Sequence, residues 1–128
     1  MVRIFSKAIL FLLMIKLKNN SLKNNKVAAS FSKWPQGRVY YTIANNMGSI
    51  NYNKIINAVN EYNTKTNVKW IPRTSQNDYV EFIFGSSSGA DCWAHIGKKG
   101  GKQKVSLDQY ISLGSVIHKM GHSIGFYL

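Results

Sequence analysis

The residues with the clearest capacity for chemistry in this 128-residue chain are His118 and His122. Four apart on a helix, they stand one turn above each other on the same face, close enough for both imidazoles to share a divalent metal ion. In zinc hydrolases built on such a pair, the residue after the first histidine is a glutamate that takes a proton from metal-bound water. Here it is Lys119. A protonated lysine cannot act as that base, and its charge at about 5 Å from a divalent ion costs on the order of 6 kcal/mol at an effective dielectric near 20. Loss of the proton, or an outward swing of the long side chain, softens this opposition without supplying a carboxylate. The spacing alone is weak evidence, because histidines four apart also occur as half-buried polar pairs or plain surface residues.

These side chains need a helix to carry them and a sheet to hold the helix. Val116, Ile117, Met120 and Ile124 give residues 112–126 a packing face, and Gly125, three after His122, lets the chain turn out of the helix. Upstream, Val39, Tyr41 and Ile43 alternate along a strand over 38–43. Ile55, Ala58, Val59 and Tyr62 recur at helical spacing over 53–64. Strands are expected at 68–71, stopped by Pro72, and at 79–84, with short ones at 93–96 and 104–107. The basic turn Gly97-Lys98-Lys99-Gly100-Gly101 separates the last two. One sheet covered by two helices, an α+β arrangement, is the expected architecture.

The 17 Lys+Arg against 5 Asp+Glu give a net charge of +12. That excess would suit an anionic partner, but its distribution argues otherwise: Arg3, Lys7, Lys16, Lys18, Lys23, Lys26 and Lys33 all precede Trp34, and no acidic residue precedes Glu61. Nucleic acid is excluded as a partner because the chain lacks interleaved aromatic and basic residues. Arg3 and Lys7 precede an apolar run over 8–15, followed at once by Lys16 and Lys18. The run is shorter than the roughly 20 residues of a membrane span and fits the apolar region of a secretory signal, about 7 to 15. Residues 1–33 are therefore expected to be a signal peptide, or a retained basic leader, plus a Lys/Asn-rich linker, with no stable membrane insertion beyond the signal segment and a secreted product. The single cysteine, Cys92, excludes an internal disulfide framework. His95 reads as a surface histidine, and nothing fixes an oligomeric state.

From Trp34 onward the chain resembles the astacin family of zinc metallopeptidases. The resemblance is carried by Lys33-Trp34-Pro35-Gln36-Gly37 with Val39-Tyr40-Tyr41-Thr42-Ile43, by Ile71-Pro72-Arg73-Thr74 with Asp78-Tyr79-Val80, by Gly97, Gly100-Gly101, Gln103 and Val105-Ser106-Leu107, and by Gly114-Ser115-Val116-Ile117-His118. In order, these pieces are specific. The resemblance implies the N-terminal subdomain of the family: a twisted mixed sheet of about five strands, mainly parallel, packed on two helices, the second being the metal helix. It also implies peptide-bond hydrolysis by zinc-activated water, a protein or peptide substrate laid along the sheet edge, and zinc as the cofactor.

Carried over residue by residue, His118 and His122 match the first two zinc ligands. Lys119 stands at the position of the catalytic glutamate, and Leu128 at that of the third histidine. Residues 34–128 are accordingly expected to form a truncated astacin-like peptidase domain with impaired hydrolysis and weak or no zinc binding. The α-carboxylate of Leu128 is a conceivable third donor. The alternative is a secreted, non-catalytic pseudoprotease whose sheet edge and Lys98, Lys99, Lys102 and Lys104 engage peptides or an acidic partner. The resemblance also pairs the cysteine at position 92 with another near Tyr110 and Ile111, where none occurs, leaving Cys92 as a small buried hydrophobe or an unpaired thiol. Residues 1–60 contain no Asp or Glu to act as the acidic zinc-blocking residue of the family's prosegments.

Overall fold

The structure, a computed structural model, describes residues 34–85 and 93–125. It contains strands β1 (Arg38–Ile43), β2 (Lys69–Pro72), β3 (Tyr79–Phe84), β4 (Trp93–Ala94) and β5 (Lys102–Leu107), with helices α1 (Ser49–Lys65) and α2 (Leu113–Ser123). The strands form one sheet in the order β2-β1-β3-β5-β4. All neighbours are parallel except β4, which runs antiparallel to β5 at the edge. This is the α+β arrangement of a mixed five-stranded sheet with two helices that the sequence led us to expect.

Alternation drives the sheet. Val39 and Tyr41 of β1, Val80 and Phe82 of β3, and Val105 and Leu107 of β5 are buried and share the core with the helices. Their intervening neighbours Arg38, Lys102 and Lys104 are exposed. Aromatic rings fill the centre, with Trp70 at 5.8 Å from Tyr62, 5.9 Å from Phe82 and 6.4 Å from Tyr41 between ring centroids. Such tilted contacts suit the quadrupoles of the rings. Pro72 is the last residue of β2, opposite Tyr41, rather than its stop. Position at the sheet edge tolerates the missing N–H, and the next residue, Arg73, donates its own to the Tyr41 carbonyl at 2.9 Å.

Helix α1 starts four residues before the apolar periodicity does, at Ser49. A tertiary bond explains the extension, since Asn51 is buried and its Nδ2 donates to the Asp108 carbonyl at 2.8 Å. Thr66 ends the helix, its hydroxyl donating to the Tyr62 carbonyl at 2.9 Å and accepting from the Val68 N–H at 3.0 Å. Helix α2 is capped by Ser112, whose Oγ accepts from the Ser115 N–H at 3.1 Å. It closes at Ser123 rather than at 126, because Gly125 takes a φ of 104° and its N–H folds back to the His122 carbonyl.

Candidate metal helix and its supports

Val116, Ile117 and Met120 of α2, with Ile124 at its C-cap, are buried in the core, so the helix is fixed in rotation by its apolar stripe. The α1–α2 contact is tied by Tyr62, whose buried hydroxyl donates to the Ile117 carbonyl at 2.8 Å and whose pKa burial pushes well above the ordinary tyrosine range. At the far end, the buried Trp34 donates its indole N–H to the Ser123 carbonyl at 3.0 Å. A third tie comes from the sheet edge, where the Gly97 N–H donates to the His122 carbonyl at 2.7 Å. The last two bonds fall on carbonyls of the final helical turn, which have no i+4 partner within the helix.

On the helix so oriented, His118 and His122 lie side by side, with ring centroids 4.6 Å apart and planes inclined at 38°. Both are half-buried, as is Lys119 between them in sequence. Among the described residues, no group of three or more His, Cys, Asp or Glu side chains gathers to hold a metal ion. Leu128 and Cys92 lie outside the described residues. The two imidazoles therefore fit part of a zinc donor set, one short of the three protein ligands of a catalytic site. The neighbouring ammonium opposes a divalent ion there. His95 is exposed, as its sequence context suggested.

Sequence reasoning gave no role to Gln103, which sits among the alternating residues of β5. Its side chain is buried; Oε1 accepts from the Lys99 N–H and Nε2 donates to the Gly97 carbonyl, both at 2.9 Å. It thus clasps the turn that carries the bond to His122. Its polarity at an inward position of a strand was the available signal. Replacement by leucine would strand both turn groups, and Gln103→Leu is expected to lower unfolding free energy by about 1–3 kcal/mol in a denaturant titration.

Asp78 braces the same turn from outside. Its Oδ1 accepts from the Gly101 N–H at 2.7 Å and its Oδ2 lies 2.7 Å from Lys98 Nζ. The hydrogen bond from Lys98, then that from Gly101, lowers its pKa below the ordinary aspartate value of 3.8. A lowered folded pKa means the brace is complete above 3.8 and is lost as the pH falls through the lower folded value. Because the pair is solvated, its removal in Asp78→Asn should cost only about 0.5–1 kcal/mol at neutral pH, and the variant should show a shallower fall in stability on acidification.

The chain belongs to the astacin family of peptidases, whose family model matches residues 26–128. It is 36% identical over 111 residues to "Zinc metalloproteinase nas-4" of Caenorhabditis elegans, covering 86% of this chain and 35% of that protein. It is 34% identical over 98 residues to "Nematocyst expressed protein 6" of Nematostella vectensis, covering 73% of this chain and 33% of that protein. Among solved structures, it is similar to high choriolytic enzyme 1, a hatching enzyme zinc-protease from the medaka fish Oryzias latipes. That similarity has a TM-score of 0.61 at 25% identity, over 72% of this chain and 46% of the other. The chain thus spans about a third of the length of these curated relatives. The matched part is the N-terminal subdomain, and zinc is the metal that the family implies.

Proposed function

We propose that this chain is a zinc metalloendopeptidase by descent whose hydrolytic centre is impaired. The observation that carries the reading is Lys119, which follows His118 directly on the helix that sets the His118 and His122 imidazoles 4.6 Å apart. The family's chemistry needs a carboxylate at that position to take a proton from water. An ammonium supplies neither the lone pair nor the sign of charge. Leu128 at the third-ligand position adds a second loss, since an aliphatic side chain has no donor atom. The purified chain with added zinc is expected to leave an unfolded protein substrate such as reduced casein intact over hours. Cleavage abolished by a chelator would overturn the reading.

The second reading, a non-catalytic pseudoprotease that binds peptides or an acidic partner, is favoured by β4. Among the described residues that strand is hydrogen-bonded on one side only, to β5, and so presents an edge to which an extended peptide could add. Secretion is part of the proposal and rests on the basic-apolar-basic plan of residues 1–18, which lie outside the described residues. Among the described residues, no helix is long and apolar enough to cross a membrane.

A further inference from the structure

The outward side of the sheet near its edge carries a feature that the histidine pair does not use. Strand β5 turns Gln103 and Val105 inward and Lys102 and Lys104 outward. Together with Trp93 and His95 from β4 and its end, and Lys99 from the turn, these lysines line an open groove of about 350 Å³. Trp93 leaves 48% of its surface exposed, whereas Trp34 and Trp70 are buried. Lys102 lies 3.4 Å from Glu81, while Lys99 and Lys104 are exposed and form no ion pair among the described residues. Neither His118 nor His122 lines the groove.

We propose that this groove binds a sulfated or carboxylated sugar chain. Strand β5 is hydrogen-bonded to β3 along its length and to β4 at Val105 and Ser106, and because backbone hydrogen-bonding groups lie in the plane of the sheet, a ligand lying across its face meets side chains. An acidic peptide that pairs with the edge of β4 lies in the plane of the sheet, whereas recognition across this face comes from side chains. Those on offer are an exposed indole face and a cluster of ammonium groups. A pyranose ring stacks its apolar C–H face on an indole and carries its sulfate or carboxylate groups at the rim, where lysines reach them. Lys102 and Lys104 alternate along one strand and so stand about 7 Å apart, which suits anionic groups on neighbouring sugars better than one compact anion. Single-stranded nucleic acid fits less well because it uses successive stacking platforms, and one indole lines this groove. The volume accommodates a short stretch of a thin chain rather than a folded partner.

The test is calorimetric titration of the full chain with a size-defined heparin tetrasaccharide. Its fully desulfated counterpart, a hexaglutamate peptide and an oligothymidylate of matched charge serve as comparison ligands. The heparin fragment is expected to bind saturably and the desulfated one at least tenfold more weakly. Lys99→Gln/Lys104→Gln should weaken binding at least tenfold, and Trp93→Ala about fivefold or more. All three positions are solvent-accessible, and an unchanged melting temperature checks that the variants fold. The basic residues before Trp34 add non-specific attraction. The deciding comparison is therefore Lys65→Gln/Lys69→Gln, which removes the same charge elsewhere and should leave affinity within twofold. Equal losses in the two lysine pairs, undiminished binding by the groove variants, absence of binding, or equal affinity for the peptide or oligonucleotide would each overturn the proposal. Any of these would leave the reading of Lys119 untouched, because that reading is tested by zinc and hydrolysis.

Discussion

Replacing Lys119 by glutamate and Leu128 by histidine together is expected to tighten zinc binding by about 10²–10⁴-fold, read by competition with a metal-sensitive dye. Two effects combine. The first is removal of an ammonium near a divalent ion, worth several kcal/mol at an effective dielectric near 20 but reduced here because Lys119 is half-exposed and can swing outward. The second is a third donor, which completes the number of protein ligands usual in catalytic zinc sites. After solvent screening, about 3–5 kcal/mol remains, which gives the stated range. The single variants separate the terms. If Leu128→His alone accounts for the whole gain, the charge of Lys119 is not the defect, and the electrostatic part of this account fails.

Trp34→Ala is expected to be among the most damaging single substitutions, lowering unfolding free energy by about 3–5 kcal/mol. The indole is 1% exposed, so its removal leaves a large cavity beneath the end of α2. It also frees the Ser123 carbonyl of a 3.0 Å hydrogen bond formed across 89 residues of sequence. Trp34→Phe isolates the second loss and should cost about 1–2 kcal/mol, mostly through the missing donor. Trp70 offers the contrast. Its Nε1 has no hydrogen-bond partner among the described residues, so Trp70→Phe loses volume but no bond and should shift a denaturant midpoint through packing alone. A Trp34→Ala protein of unchanged stability would show that the start of the domain is not anchored to the metal helix.

The elements closest to the site were legible where side-chain periodicity and burial agree. Val39 and Tyr41 mark β1, and Val116, Ile117, Met120 and Ile124 mark the stripe of α2, because a period of two or of 3.6 is a local property of the chain. The histidine pair was legible for the same reason. What escaped depends on contacts between distant residues. Asn51 extends α1 toward its N-terminus by reaching the Asp108 carbonyl, and no local pattern encodes that reach. Gln103 looks like any polar strand residue until β5 is placed and its side chain turns inward to the Gly97–Gly101 turn. α2 ends three residues before 126 because the apolar stripe alone does not show that Gly125, inside the expected 112–126 range, takes the positive φ that follows the helix end. The spatial meeting of Trp93, His95 and the β5 lysines likewise follows from the antiparallel register of β4 on β5.

The fold and family are fixed by the sheet order and the match over residues 26–128, so the central claim is the impaired metal helix. Zinc uptake by the unaltered chain tests it most directly. Equilibrium dialysis at low micromolar free zinc, with a His118→Ala/His122→Ala variant as reference, is predicted to show well under one zinc per chain and little difference between the two proteins. One tightly held zinc per chain, absent from the histidine variant, would contradict the account and return His118 and His122 to service in a working metal site.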